Sequence, residues 1–103
     1  EPDWTFDLGD KTILIEAKGR FRERAEATKY IWIRKVLPKD TELVFLFMRP
    51  TLPFPHAKVR KDGTKYTHAE WAEKNSFRHY NEHTIHTLLG FNPVTNKKVK
   101  KDK

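Results

Sequence analysis

Side chains suited to a metal site lie near one end of the chain. A strand-like apolar run ends in Glu16, Ala17 and Lys18. Because side chains alternate between the two faces of a strand, Glu16 and Lys18 point to the same face. A second strand-like stretch begins at Asp3, and the Gly9-Asp10 turn signal between the two stretches predicts a hairpin. This hairpin is expected to bring Asp3 beside Glu16.

Two carboxylates this close together predict a site for a hard divalent cation, because Mg²⁺ prefers oxygen ligands. We expect Asp3 and Glu16 to bind the metal, with the backbone carbonyl of Ala17 as a third ligand. Lys18 would orient an attacking water or balance developing negative charge. The chemistry expected of such a group is metal-assisted hydrolysis of a phosphodiester, with Asp3, Glu16 and Lys18 as the catalytic residues.

A plainer interpretation of the same spacing is a solvated ion pair, and a short Glu-x-Lys motif alone favours that interpretation. The surroundings favour a site: Pro2-Asp3 precedes the hairpin, an apolar strand leads into the pair and Gly19 follows it. Asp7 and Asp10 are alternative acids near the turn. Asp3 is preferred because it follows the proline and is expected at the same end of the sheet as the glutamate.

Pro2-Asp3 followed by Glu16-Ala17-Lys18 resembles the signature of the PD-(D/E)xK nuclease superfamily. Later residues narrow the resemblance to the endonuclease I family of bacteriophages, over roughly residues 1 to 80. Those that carry it, in order and spacing, are Glu16-Ala17-Lys18-Gly19, Lys29, Ile33-Arg34, Pro38, Leu43-Val44-Phe45, Tyr66-Thr67, Trp71 and Glu73-Lys74.

The resemblance implies a structure-specific DNA endonuclease, a Holliday junction resolvase that acts in DNA recombination with Mg²⁺ or Mn²⁺ as cofactor. It also implies a restriction-endonuclease-like core and a homodimer. In that family a helix upstream of the Pro-Asp pair supplies a further metal-binding glutamate and much of a segment-swapped dimer. Since this chain begins at Glu1, we expect a processed or truncated product without that helix.

Two other functions remain open from the sequence. One is a catalytically silent, basic DNA-binding module. The other is a nuclease of the same superfamily that acts on mismatched or restriction-site duplex.

The charge balance favours a polyanionic partner. The chain has 21 Lys and Arg against 14 Asp and Glu, a formal net charge of +7, and a basic surface attracts phosphates and releases their counterions. An ordinary solvated surface explains the basic segments almost equally well. The predicted nucleic-acid contacts are Arg20, Arg22, Lys58, Arg60 and Lys61.

Composition excludes several other classes of site. The chain has no cysteine, which excludes disulfides and thiolate metal sites. Histidines at 79, 83 and 86 match no tetrahedral zinc set, and we interpret them as surface or capping residues. The longest apolar stretch, Leu43 to Met48, is too short to span a membrane, and we expect no leader sequence. We expect a cytoplasmic protein without a membrane partner, in the infected bacterial host if it is phage-encoded.

The periodicity predicts an α/β fold with a mixed sheet flanked by helices. Strands are expected at 3–8, 11–18 and 41–48, and the helix between the last two, at 23–37, predicts a parallel crossover. On that helix Tyr30, Ile33 and Leu37 are expected inward, and Trp32 and Val36 are expected to widen the buried face.

Smaller elements follow the third predicted strand. A capping box at Thr67 predicts a short helix ending near Asn75, with a strand at 76–80 and a helix at 81–90. We divide the chain into a nuclease core, residues 1–92, and a basic tail, residues 93–103. The tail is expected to be disordered.

Overall fold

A four-stranded mixed sheet forms the centre of the fold in the computed structural model, which describes residues 3–89, 91–92 and 97–98. Three helices accompany it in this part of the chain. The elements are β1 (Trp4–Asp7), β2 (Thr12–Lys18), α1 (Arg24–Lys35), β3 (Thr41–Phe47), α2 (His68–Lys74), β4 (His79–Tyr80), α3 (Ile85–Leu89), β5 (Phe91–Asn92) and β6 (Lys97–Lys98).

The strand order is β1-β2-β3-β4. β1 pairs antiparallel with β2, while β2 and β3, and β3 and β4, pair in parallel. The hairpin closes at Gly9, whose φ of 93° suits a residue without a Cβ. The predicted α/β class, the mixed sheet and the parallel crossover through α1 are therefore confirmed.

The core has one cluster on each face of the sheet. On the first face, β3 packs against α1 and α2 through an aromatic cluster centred on Phe45. The second face has a cluster that includes side chains of α3, and its buried members are Ile13, Ile15, Val44 and Leu46. β3 is thus covered on both sides, as its unbroken apolar sequence indicates.

The outer face of α1 differs from the sequence prediction. Trp32 is 62% exposed and Val36 is 81% exposed, so the prediction that they widen the buried face is wrong. Helical geometry gives the reason: residues four apart share a face, and this pair lies opposite Ala27, which is fully buried. Tyr30 packs inward as expected. The helix is also shorter than predicted, covering Arg24–Lys35.

The later elements are present but shorter than predicted. The capping box opens α2 as expected: the Thr67 hydroxyl accepts the N–H of Glu70, and the Glu70 carboxylate accepts the N–H of Thr67. The strand predicted at 76–80 is limited to His79–Tyr80, and the helix predicted at 81–90 covers Ile85–Leu89.

Most of the predicted tail lies outside the described residues, as do the first two residues. Within the tail, Lys97–Lys98 pair antiparallel with Phe91–Asn92. Among the helices of the described ranges, none has both the length and the apolar character needed to cross a bilayer.

Candidate active site

Asp3 lies against the end of β2 that carries the predicted catalytic residues. Its backbone N–H donates to the carbonyl of Ile15 at 2.9 Å, and its Oδ2 accepts the N–H of Ala17 at 2.8 Å. The alternative acid Asp7 is paired with Thr12 at the other end of the hairpin. The structure therefore places Asp3, rather than Asp7, next to the segment that contains the Glu-x-Lys motif.

The carbonyl of Ala17 lies on the same side of β2 as Asp3. In a strand, the N–H and C=O of one residue point to the same side, and the N–H of Ala17 already contacts Asp3. The carbonyl predicted as a third metal ligand thus points to the side of β2 on which Asp3 lies. Its binding of a cation stays a prediction.

Glu16 extends onto the α1 face of the sheet, where a tyrosine holds it. The hydroxyl of Tyr30 donates to Glu16 Oε2 at 3.2 Å. Burial raises the pKa of Tyr30, although nearby Lys18 opposes this shift. The hydroxyl is therefore protonated at neutral pH and acts as a donor that orients the carboxylate. For this tyrosine the sequence favoured a packing role over base stacking, and it gave no sign of the contact with Glu16.

Lys18 lies on the same face, above the aromatic core. Its Nζ is 2.9 Å from Glu26 Oε2 and 5.2 Å from the centroid of the Tyr30 ring. Partial burial opposes the charge, but the hydrogen bond to Glu26 and the adjacent Tyr30 hydroxyl outweigh it, so the pKa of Lys18 lies above its usual value of 10.5. Lys18 is therefore a cation at neutral pH. It can orient a water or balance negative charge, but it cannot accept a proton.

Glu26 is a site residue that sequence reasoning missed. Its carboxylate accepts the backbone N–H of Arg22 at 2.9 Å as well as the ammonium of Lys18. The Arg22 N–H, followed by the hydrogen bond from Lys18, lowers the pKa of Glu26 despite some burial. Glu26 fixes both the lysine and the segment that leads into α1. The available signal was an acid in the first turn of the predicted helix, one turn before Tyr30.

A buried histidine, also missed, secures the segment between β2 and α1. His68 is 1% exposed, and its ring stacks on Phe21 with centroids 5.4 Å apart. Its Nε2 accepts the N–H of Phe21 at 2.8 Å, and its Nδ1 therefore donates to the carbonyl of Leu52 at 2.9 Å. The neutral ring thus links α2 and the loop after β3 to the segment that follows Lys18.

The protonation of His68 predicts a pH dependence of stability. Burial lowers its pKa below the usual 6.5, and the Leu52 carbonyl only partly offsets this. The unfolded chain therefore binds a proton more readily, so the stabilisation is complete only well above the unfolded pKa of 6.5 and is lost as the pH falls through that value. We expect the free energy of unfolding, measured with urea, to fall between about pH 7.5 and pH 5.5.

In His68→Gln this fall should shrink, because the titrating group is gone. His83→Gln is the matched control, since the His83 side chain is 83% exposed. An equal fall in the wild type and in His68→Gln would contradict the assignment.

Two of the predicted nucleic-acid contacts lie beside Lys18. Arg20 and Arg22, together with Lys18 and Glu26, line an open depression of about 510 Å³. Both arginines are exposed, and neither takes part in a salt bridge within the described residues. The two arginines are suited to phosphate contacts, and the exposed acid Glu23 lines the same depression.

The other three predicted contacts, in the loop after β3, do not line this depression. Lys58 and Lys61 are exposed. Arg60 instead donates to Glu70 of the α2 capping box at 2.7 Å, which gives it a structural contact.

The donors at the end of β2 suit a hard cation that keeps part of its water shell. Across residues 3–89 and the two short strands, no three His, Cys, Asp or Glu side chains form a metal-binding group. Asp3 Oδ1 and Glu16 Oε1 form no hydrogen bonds within the described part. Mg²⁺ is commonly held by one or two carboxylates with waters and substrate phosphates. The residues thus fit an open site that substrate would complete.

No family model, curated protein or solved structure matches this chain. The resemblance to the phage endonucleases stays a prediction. The functional inference therefore rests on the side chains at the end of β2.

Proposed function

We propose that this chain is a metal-dependent DNA endonuclease that acts on branched DNA, with Mg²⁺ or Mn²⁺ as its cofactor. One observation carries the proposal: the carboxylates of Asp3 and Glu16 lie at the same end of β2 as protonated Lys18. The exposed side chains of Arg20 and Arg22 line a depression that also contains Lys18. Two acids and a lysine beside exposed arginines suit metal-assisted hydrolysis of a phosphodiester.

Each side chain has a distinct part in this reaction. Asp3 and Glu16 would hold the cation, which when bound would polarise the phosphate and lower the pKa of a water. Tyr30 keeps the Glu16 carboxylate in position. The ammonium of Lys18 stabilises the negative charge that develops on the phosphoryl oxygens. The two arginines hold the flanking phosphates and align the strand.

The branched substrate and the oligomeric state follow from the family resemblance. Resolving a four-way junction requires two incisions, and a homodimer supplies two sites. The formal net charge of +7 supports a polyanionic partner of either form, branched or linear.

A silent DNA-binding module is the second candidate, and one observation favours it. Glu26 holds Lys18 at 2.9 Å, so substrate must compete with an existing ion pair. A module of this kind would bind DNA through Arg20 and Arg22 without cutting it.

Cleavage assays on matched DNAs separate the candidates. Labelled four-way junction, mismatched duplex, linear duplex and single strands are incubated with the chain in Mg²⁺, in Mn²⁺ and in EDTA. We expect nicking of the junction in either metal and none in EDTA. Binding without cleavage in both metals would support the silent module instead. Preferred cleavage of a linear or mismatched duplex would assign another DNA substrate.

A further inference from the structure

The outward face of α1 carries a large aromatic side chain in solvent. Trp32 is 62% exposed, although a buried indole would contribute substantially to folding. Residues 25, 29, 32 and 36 follow the 4-3-4 spacing that places them on one side of a helix. This outward stripe, Ala25, Lys29, Trp32 and Val36, lies opposite the buried face of α1.

A lysine ammonium lies beside the exposed indole, and a second lysine shares its helix face. The ammonium of Lys35 is 4.5 Å from the centroid of the Trp32 ring, and Lys29 lies one turn before it on the stripe. The helix has four basic residues and a single acid, Glu26. Lys18 and the backbone N–H of Arg22 engage that acid.

The outward stripe continues from the candidate active site. Ala25, its first member, lines the depression that also contains Lys18, Arg20 and Arg22. Trp32 follows seven residues later on the same face, which is about 10 Å along the helix. A strand that leaves the depression along this stripe reaches the indole within a few nucleotides.

We propose that the outward stripe of α1 binds single-stranded DNA, with one base stacked on Trp32 and adjacent phosphates held by Lys29 and Lys35. Aromatic rings flanked by basic groups bind single strands because any base stacks on the ring while cations follow the backbone. The lysines favour this ligand over an apolar protein surface, which would leave two ammonium groups buried and unpaired. The ligand class is an unpaired DNA segment next to the cleavage site.

This site rests on the proposed function for the identity of the polyanion, but its test measures binding rather than cleavage. The Kd is measured in EDTA from the fluorescence anisotropy of a fluorescein-labelled oligothymidylate. An oligonucleotide of about 12 nucleotides lies within the site sizes of single-strand binders. Trp32→Ala should raise Kd roughly 5- to 150-fold, because stacking on one base is lost. Trp32→Phe should retain most of the affinity. Lys35→Ala should also flatten the salt dependence of binding.

Tryptophan fluorescence supplies a matched control. Trp4 is also exposed, at 48%, but lines an apolar groove formed with side chains of the second sheet face, away from α1. The oligonucleotide should quench the emission of Trp4→Phe as it does the wild type, and the quenching should disappear in Trp32→Phe. Circular dichroism should show unchanged thermal unfolding for all variants at the exposed Trp32 position.

Unchanged affinity of Trp32→Ala for the oligonucleotide would overturn the single-strand site. Sedimentation provides a second way to overturn it. If the wild type self-associates and Trp32→Ala does not, while their DNA affinities are equal, the indole is a protein contact. If Trp32→Ala binds normally while metal-dependent cleavage is present, only this inference fails. If the wild type binds no DNA of any form, the proposed function fails with it.

Discussion

Replacing Lys18 with alanine is expected to lower the rate of junction cleavage by roughly 100- to 1000-fold, the usual effect of removing one group that stabilises transition-state charge. The reason lies in the raised pKa of Lys18, which keeps it cationic where phosphoryl charge develops. DNA affinity should change far less, because the contacts proposed for Arg20 and Arg22 would remain. Single-turnover nicking in Mg²⁺, beside anisotropy in EDTA, separates the two effects.

Lys11→Ala is the matched control for this variant. Lys11 also forms an ion pair with a glutamate, Glu42 at 2.8 Å, but it immediately precedes β2, at the other end of that strand. Its loss should leave the cleavage rate within about twofold, as surface ion pairs contribute little. Equal rates for Lys18→Ala and the wild type would remove the lysine from the mechanism.

Replacing Phe45 with alanine is expected to cost about 3–5 kcal/mol of unfolding free energy, the usual range for removing a buried phenylalanine. Phe45 is fully buried, and five aromatic rings lie within 5.8 Å of its ring, centroid to centroid. Those rings belong to β3, α1 and α2, to the segment before α1 and to the segment after α2. Because so many elements surround the ring, the cavity left by its removal cannot close through movement of one of them. A domain of ordinary stability, about 5–15 kcal/mol, would lose a large share of it.

Urea unfolding of Phe45→Ala, with Val36→Ala as control, tests this expectation. Val36 is 81% exposed, so its truncation should change the unfolding free energy by less than about 0.5 kcal/mol. A cost below about 1 kcal/mol for Phe45→Ala would contradict the central place of this ring in the core.

Local sequence signals were sufficient to predict the elements that position the site. The Gly9-Asp10 turn, the apolar run up to Lys18 and the capping box at Thr67 each act within a few residues, and the structure contains the hairpin, β2 and α2 that they indicate. The approach of Asp3 to the end of β2 followed from the hairpin, because a turn determines which strand ends meet, whereas its contact with the N–H of Ala17 was not predicted.

The contacts that complete the site could not be predicted in the same way. Glu26 meets Lys18, and His68 meets Phe21, only after β2, α1 and α2 have packed together. The exposure of Trp32 depends on which face of α1 packs against the sheet. The helix has apolar residues on several sides, so its periodicity does not determine that face. Arg60 likewise joins Glu70 across a loop whose path the sequence does not determine.

The central claim is that Asp3 and Glu16 share one divalent cation, and paramagnetic broadening by Mn²⁺ tests it most directly. In an amide NMR spectrum of the ¹⁵N-labelled chain, substoichiometric Mn²⁺ should first broaden the resonances of Glu16, Ala17 and Lys18. The double variant Asp3→Asn, Glu16→Gln should lose this selective broadening while keeping its fold. Broadening centred elsewhere, or identical in the wild type and the double variant, would contradict a shared cation at this end of β2.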